Sequence, residues 1–413
     1  MKILVLNAGS SSQKSCLYQI DESLPDSPLS PIWEAKIDWT KQPGIAELEV
    51  NIRSSLGLEE ELQTDSRPDA IARMLETLTS GHTQVIESLS EIDVVGHRVV
   101  HGGQDYQMPV VVTSDVKDAI AHLSALAPAH NPANLEGIEL LEKLLPDVPQ
   151  VAVFDTAFHS QMPQDAYMYP LPYELLDQGI RRYGFHGISH QYCAGKTAQL
   201  LGKDLTELRL ITCHIGNGAS LAAIRQGHSV DTTMGFTPID GLMMGTRSGS
   251  VDPGILIHLL RQGYDAEHLD RMLNRESGLK GISGISGDLR QVMAAMEEGN
   301  SRAKLAIDMY LHSLRRNMGA MLASLGGLDA VAFTGGVGEN SAAIRAGACE
   351  VFKFLGLKLD DVKNTESPKD ADIAMADSTV RVLVVQAQED WAIASECWNL
   401  AKAHQLSKEK TAV

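Results

Sequence analysis

The chain has 413 residues, of which 44% are hydrophobic, so it is long enough for two or three domains with ordinary cores. Its 53 acidic residues outnumber its 35 basic ones, and a formal charge of −18 argues against nucleic acid or an anionic membrane surface as the main partner. Any anionic ligand must therefore be met by locally placed arginine or lysine.

The cysteines and the N-terminus indicate a cellular compartment. Five cysteines are scattered along the chain without a C-x-x-C pair, which argues against a disulfide framework or a zinc site. The first residues lack the pattern of a signal peptide, because a polar Gly/Ser-rich segment follows a very short apolar run. No apolar run reaches the roughly 18 residues that span a bilayer. The sequence therefore predicts a cytoplasmic protein without membrane association.

Strand-like apolar runs alternate with helical periods, which predicts an α/β protein. One helix is expected to begin at Asn131, which is followed by proline, and to run to about 145. A longer helix is expected to begin at Ser301 and to stop at Gly326. The predicted strands cover residues 3–7, 15–20, 94–100, 151–155, 210–214, 220–225, 330–334 and 380–386.

A weak internal repeat joins two of these regions. The segments "ILVLNAGSSSQKSCLYQ" and "LITCHIGNGASLAAIRQ" both consist of a strand, a polar Gly/Ser turn and a second strand. Gly9 and Gly216 occupy equivalent places, about half the chain apart. Two hairpins can resemble each other by chance, because this unit is common. The alternative is a duplicated domain, with the two turns facing each other across a cleft.

Both turns are candidate phosphate sites. Gly and Ser place backbone N–H groups on one side of a turn, which suits phosphate oxygens, although a tight hairpin also needs glycine for its geometry alone. Lys14 adds a positive charge beside the first turn, and the second contains His214 and Asn217. The recurrence of the turn favours phosphate binding. A third glycine-rich segment, "FTGGVGENSAAI", follows a strand and is equally typical of a structural turn and of a ligand loop.

Several charged residues lie where they could reach a ligand. Arg98 and Arg247 are surrounded by small residues, and a guanidinium suits bidentate recognition of carboxylate or phosphoryl oxygens. His186 in "GFHG" is expected to act as a hydrogen-bond donor on a loop. Asp155 and Glu389 follow apolar strands, where a carboxylate can hold a hydrated magnesium ion, act as a base, or cap a helix.

Taken together, nine segments resemble the acetate kinase family in consistent order from residue 3 to about 394. They are "LVLNAGSSSQK", "GHRVVHGG", "APAHNP", "VFDTAFH", "RRYGFHGISH", "HIGNGAS", "TTMGFTPIDGLMMGTRSGSVDPG", "FTGGVGENS" and the region of Glu389. The resemblance implies a duplicated actin-like (ribonuclease H-like) ATPase fold, with two domains around a central nucleotide cleft. It also implies a homodimer that transfers phosphate reversibly from ATP to acetate, giving acetyl phosphate and ADP. The expected domains are 1–154 with 391–413, and 155–390.

The resemblance also implies residue roles. Asp155, His186 and Arg247 are expected to be catalytic, and magnesium, with Mn²⁺ as a substitute, is expected at Asn7 and Glu389. The acetate site is expected at Arg98, Val100, His130, Phe185 and Pro238. The ATP site is expected at Ser10, Ser12, Lys14, His214, Ile215, Gly216, Asn217, Gly218, Asp288, Leu289, Arg290, Gly336, Val337, Gly338, Glu339 and Asn340.

Two positions depart from the family pattern. Ile188 stands where threonine is frequent, which removes a hydroxyl beside His186. Ala129 stands where leucine is common, so the acyl pocket is expected to be larger and to accept propionate better. A propionate or butyrate kinase is the nearest alternative function. A more remote alternative is an actin-like nucleotide-dependent binding protein, which would hydrolyse ATP without acyl transfer.

Overall fold

The computed structural model describes residues 1–9, 12–42, 44–53, 55–128, 130–366 and 368–411. The chain divides into two compact units, the first formed by Met1–Ala157 with Gln388–Val413 and the second by Phe158–Ala387. The domain boundaries expected from the sequence lie within three residues of these limits. Among the described residues, no helix combines the length and the apolar character needed to cross a bilayer.

The elements have the following bounds. The strands are β1 Lys2–Ala8, β2 Ser12–Gln19, β3 Trp33–Gln42, β4 Ile45–Ile52, β5 Ser55–Leu62, β6 Val94–Val99, β7 Val110–Val111, β8 Gln150–Phe154, β9 Arg209–Ile215, β10 Ala219–Arg225, β11 His228–Thr232, β12 Ala330–Thr334, β13 Ala371–Asp372 and β14 Arg381–Val384. The α-helices are α1 Arg67–Thr79, α2 Ser114–His122, α3 Asn131–Leu144, α4 Gln164–Tyr167, α5 Gly187–Leu201, α6 Pro253–Arg261, α7 Ala266–Arg275, α8 Gly278–Ser283, α9 Leu289–Glu297, α10 Ser301–Leu325, α11 Gly335–Asn340, α12 Ala342–Glu350, α13 Asp361–Glu366 and α14 Glu389–Thr411.

The sheet of the first unit has the strand order β5-β4-β3-β2-β1-β6-β8-β7. β1 pairs antiparallel with β2 and parallel with β6, and β8 lies parallel to β6 and antiparallel to β7. The central strand β1 is a continuous apolar run because it is buried on both faces of the sheet. One core cluster contains Trp33 and Met74, and a second contains Val99, Ile138 and Phe154.

The sheet of the second unit has the order β11-β10-β9-β12-β14-β13. β9 pairs antiparallel with β10 and parallel with β12, and β14 lies parallel to β12 and antiparallel to β13. These pairings match β3-β2-β1-β6-β8-β7 of the first unit strand for strand. The duplicated fold, which the two similar turns left open and the family resemblance implied, is therefore confirmed.

The two sheets share six strands. The units differ in the connection between the third and the fourth of these strands, counted along the chain. The first unit places β4, β5 and α1 there, between β3 and β6. The second unit places five helices, α6 to α10, between β11 and β12. The common sheet is therefore elaborated at the same connection in two different ways.

All eight predicted strands are present, and both predicted helices begin where expected. Within the described ranges, six further strands, β3, β4, β5, β7, β11 and β13, were not predicted. In β3 the buried residues Trp33, Ala35 and Ile37 alternate with charged residues that are less buried or exposed. Such alternation is typical of a strand with one face on the core, so this part of the sequence contained a signal that the apolar-run criterion missed.

Candidate active site

In the first unit, polar side chains gather between the end of β1 and the start of α14. The amide Nδ2 of Asn7 donates to Asp390 Oδ1 at 3.0 Å and to Glu389 Oε2 at 3.4 Å. Lys14, the cross-strand partner of Asn7 on β2, forms ion pairs with Asp390 at 3.0 Å and with Glu34 at 3.4 Å. The predicted metal pair, Asn7 and Glu389, therefore lies together within one unit.

The charge of Lys14 is balanced by its neighbours. Burial opposes the charge, but the carboxylates of Asp390 and Glu34 raise the pKa of Lys14, so it remains protonated. Asp390 is buried and was not among the predicted site residues, although it follows Glu389 directly. Ser10 lies outside the described residues. Ser12 begins β2, and its carbonyl accepts the Gly9 N–H at 2.8 Å.

Arg98 and Asp155 form a buried ion pair. They lie on or just after the adjacent parallel strands β6 and β8, and Arg98 Nη2 donates to Asp155 Oδ2 at 2.7 Å. The side chain of Asp155 is 1% exposed and that of Arg98 is 15% exposed. Burial opposes the charge on the guanidinium, but Asp155 and Glu389 raise the pKa of Arg98. Arg98 is therefore positively charged, and its ion pair with Asp155 fixes the orientation of its guanidinium group.

Two buried asparagines in the first turn of α3 hold the chain that follows β6. Asn134 Oδ1 accepts the Val100 N–H at 3.2 Å, and Asn131 bonds both the N–H and the carbonyl of His101, at 3.1 and 3.2 Å. His130 directly precedes this helix. The sequence "HNPAN" indicated a helix start. The hydrogen bonds from these two asparagines to residues 100 and 101 join distant segments, so no local pattern reveals them.

In the second unit, His186 has an unusual backbone and a defined ring environment. Its φ of 57° is in the left-handed region, which is uncommon outside glycine and recurs at functional sites. Its Nδ1 lies 2.8 Å from Ser220 Oγ, and its ring stacks on His214 with centroids 4.2 Å apart. Ile188, in place of threonine, offers no hydroxyl beside His186. Ser220 supplies a hydroxyl to the His186 ring instead.

Arg247 approaches the same place. A Cβ built on Gly218 would lie 3.6 Å from His186 Nε2 and 3.5 Å from Arg247 Nη1, so both side chains border this glycine of the second turn. Arg247 Nη1 also donates to the Pro238 carbonyl at 3.3 Å. Phe185 is buried next to His186. The second unit thus brings a cation, an imidazole and a glycine-rich turn together.

A cavity of about 920 Å³ opens beside this turn in the second unit. This volume is in the range of small-molecule and cofactor sites. Gly245 lies close to the turn, and a Cβ there would come within 2.7 Å of the backbone carbonyl oxygen of Gly287, so only glycine fits. The cavity is lined by eight of the predicted ATP residues, namely Gly216, Asn217, Asp288, Leu289, Arg290, Gly336, Val337 and Asn340.

Other predicted ATP residues lie around this cavity without lining it. Glu339 Oε1 accepts the N–H groups of Gly335 at 3.0 Å and Ala387 at 2.9 Å. The buried guanidinium of Arg345 donates to the carbonyls of Gly338 and Glu339, each at 2.8 Å. The segment "GGVGEN" forms the short helix α11, and these contacts hold it in place. His214, Ile215, Gly218 and Gly338 are likewise outside the lining.

Two sheets of one strand order, with a glycine-lined cavity on one of them, define a protein of the actin-like ATPase fold class. The acetokinase family profile matches residues 2–395, and the chain belongs to that family. It is 63% identical over 404 residues to an acetate kinase from Nostoc sp., covering 97% of this chain and 100% of that one.

Two solved structures have the same fold. The crystal structure of Porphyromonas gingivalis acetate kinase superposes with a TM-score of 0.88 at 40% identity, covering 97% of this chain and 99% of that one. A propionate kinase from Francisella tularensis also gives a TM-score of 0.88, at 36% identity, covering 96% and 99%. The segments that suggested the family in the sequence therefore pointed to the correct fold.

Proposed function

We propose that this chain catalyses the reversible transfer of a phosphoryl group from ATP to acetate, giving acetyl phosphate and ADP. Membership of the acetokinase family over nearly the whole chain is the observation that carries the proposal. Its identity with acetate kinases reaches 63%. The cavity in the second unit, with its eight predicted nucleotide residues, gives the proposal a physical site.

The chemistry requires charge neutralisation more than proton removal. A carboxylic acid with a pKa of about 4 to 5 is already ionised at neutral pH, so acetate needs no general base. The obstacle is the repulsion between a carboxylate and a phosphate, which positioned cations and donors reduce. We assign Arg98 to the acetate carboxylate, and Arg247 and His186 to the transferred phosphoryl group. Asp155 orients Arg98, since the two form a 2.7 Å ion pair.

The family implies a divalent metal ion, and we propose Mg²⁺ held by Asn7 and Glu389. The amide and carboxylate oxygens of these residues are hard donors of the kind Mg²⁺ prefers, and they lie together beside Asp390. Within the described residues, no three His, Cys, Asp or Glu side chains form a cage for a metal. Such a site suits an ion that keeps water and phosphate ligands, and the bound ion would offset charge on the phosphates.

Acetate is the proposed substrate, and propionate is the second candidate because a propionate kinase shares the fold at 36% identity. Val100 and Phe185, proposed to contact the methyl group, are both buried apolar residues. Ala129, which led to the expectation of a larger pocket, lies outside the described residues. One methylene changes discrimination by only about 1 to 3 kcal/mol, so both acids must be tested.

The decisive experiment traps the product. Protein, ATP and Mg²⁺ are incubated with hydroxylamine and with acetate, propionate, butyrate or no acid. We expect acyl hydroxamate to form fastest with acetate. Faster formation with propionate or butyrate would assign the chain to the alternative acyl kinases. Phosphate release that is independent of any acid, without hydroxamate, would indicate a nucleotide-dependent binding protein and refute the proposal.

We also propose a cytoplasmic homodimer. All five cysteines are unpaired and buried, which suits a reducing compartment. Helix α6 has no buried residue, although Ile255, Ile257 and Leu260 on it are apolar, so its surface suits a second copy. Light scattering should give twice the chain mass of 44.7 kDa. Ile257→Asp should reduce this to the monomer mass, whereas Leu171→Asp, at another exposed apolar residue, should not.

A further inference from the structure

Ser220 connects two histidines in the second unit. It lies on β10 and is fully buried, and its Oγ is 2.8 Å from both His186 Nδ1 and His190 Nε2. The other ring nitrogen of His190, Nδ1, lies 2.7 Å from Thr212 Oγ1 on β9. A continuous chain of hydrogen bonds therefore runs from Thr212 through His190 and Ser220 to His186.

The chain has few ways to place its protons. Burial lowers the pKa of His190, and the neighbouring rings of His159 and His214 act in the same direction, so His190 is neutral and carries one proton. A serine hydroxyl has one proton to donate. Within the described part of the chain, Ser220 Oγ has no third hydrogen-bond partner. If both rings donated to it, its buried proton would be left without an acceptor, which is costly.

Two arrangements remain. In the first, Thr212 donates to His190, His190 Nε2–H donates to Ser220, and Ser220 O–H donates to His186 Nδ1. A neutral His186 then carries its proton on Nε2. In the second, every bond is reversed, and a neutral His186 has its proton on Nδ1. In that case Nε2 can donate only if the ring becomes an imidazolium.

The donor role proposed above for His186 Nε2 selects the first arrangement. Arg247 Nη1 borders Gly218 together with His186 Nε2, and the ring of His214 is stacked on His186. A second positive charge beside the guanidinium is unfavourable. If His186 donates from the edge that faces Gly218 as an uncharged ring, its proton must be on Nε2, as in the first arrangement.

We infer that Ser220, supported by His190 and Thr212, is a positioning residue that fixes neutral His186 as the Nε2–H tautomer and directs that N–H beside Arg247. This inference rests on the proposed role of His186 as a donor to the transferred phosphoryl group. Ser220 itself touches neither substrate nor nucleotide in this assignment. It acts by orienting the imidazole ring and by removing the alternative tautomer.

The first test is spectroscopic and needs no substrate. Protein labelled with ¹⁵N in its histidines is studied by two-bond ¹H–¹⁵N correlation at neutral pH, and the His186 signals are assigned by their loss in His186→Gln. We expect one neutral Nε2–H tautomer. A protonated Nδ1 or an imidazolium would overturn the inference. This readout is independent of acyl transfer. A wrong tautomer with normal hydroxamate formation would contradict only the inference about Ser220, whereas the expected tautomer without hydroxamate would contradict only the proposed function.

The second test uses matched variants. Ser220→Ala should lower kcat about 10- to 100-fold, the range found when a metal-bound imidazole loses the partner that orients it, with little change in either KM. Ser220→Thr retains the hydroxyl and should recover activity. Ser378→Ala is the control, because Ser378 is also a buried serine of the second unit, and its hydroxyl bonds the backbone groups of Lys358 and Val380, at 2.8 and 2.6 Å. An unchanged kcat and tautomer in Ser220→Ala, or an equal loss in the control, would refute the inference.

Discussion

Removing the guanidinium of Arg98 should affect stability and substrate binding separately. In Arg98→Ala the carboxylate of Asp155, 1% exposed, loses its ion-pair partner at 2.7 Å. Breaking one side of such a buried pair typically costs about 3 to 5 kcal/mol of unfolding free energy. Arg98→Ala/Asp155→Asn leaves no buried carboxylate at this position, so we expect the double variant to be more stable than Arg98→Ala alone.

The assay can follow the first unit selectively. All four tryptophans belong to that unit, so fluorescence during urea unfolding reports on it; they are Trp33, Trp39, Trp391 and Trp398. Arg73→Ala is the matched control in the same unit, because Arg73 is 36% exposed and pairs with Glu60 at 2.9 Å. Exposed pairs of this kind contribute about 0 to 1 kcal/mol, so this control should unfold nearly as the parent does.

Substrate binding should follow a different pattern. A hydrogen bond to a charged group contributes about 1.5 to 3 kcal/mol, which corresponds to roughly a 10- to 100-fold rise in the KM for acetate. The KM for ATP should change far less. The acetate KM should stay high in the double variant even though stability recovers. If it recovered together with stability, or if the double variant were as unstable as Arg98→Ala, the reasoning would be wrong.

Three further predictions concern other residues. His186→Ala should lower kcat by about 10²-fold, the usual effect of losing one donor to developing negative charge, and steady-state kinetics with an unchanged kcat would exclude this role. Glu389→Gln should raise the Mg²⁺ concentration needed for half-maximal activity about tenfold, because the negative charge of the proposed carboxylate ligand favours the ion; an unaltered Mg²⁺ titration would place the metal elsewhere. Burial lowers the pKa of His97 from 6.5 to about 4. Between these pH values the unfolded chain binds a proton at His97 and the folded chain does not, so the free energy of unfolding decreases as pH falls from 6.5 towards 4. His97→Gln should reduce that slope in the fluorescence assay by about 1.4 kcal/mol per pH unit, and equal slopes would contradict the assignment.

The fold was predictable to the extent that apolar runs and turns are local signals. Every predicted strand is a buried run, and the two hairpin turns with Gly9 and Gly216 indicated the duplication. The alternating strand β3 was missed because six of its ten residues are polar. Its pattern, with Trp33 and Ile37 facing the core, could have been recognised by counting period-two positions.

The site was predictable where a residue type directly indicates its chemistry. Asn7 and Glu389 lie together although 382 positions separate them in the chain. The partners that fix orientation were less accessible. Asp390 pairs with Lys14, and Ser220 joins two histidines, but serine and aspartate at such positions also occur in ordinary strands and caps. Their function depends on contacts between distant segments, which one sequence does not reveal.

The different connections between the third and fourth strands of the two sheets have an evolutionary consequence. If one ancestral unit was duplicated, the sheets kept their pairing while this connection, among others, diverged. In one copy it became two strands and a helix; in the other it became the helical segment that contains Asp288 and Arg290 beside the cavity. Binding capacity could thus be gained by lengthening one surface excursion, with no change in either strand order. Exchanging that excursion between relatives is therefore a natural route to altering the lining of the cavity while leaving the first unit unchanged.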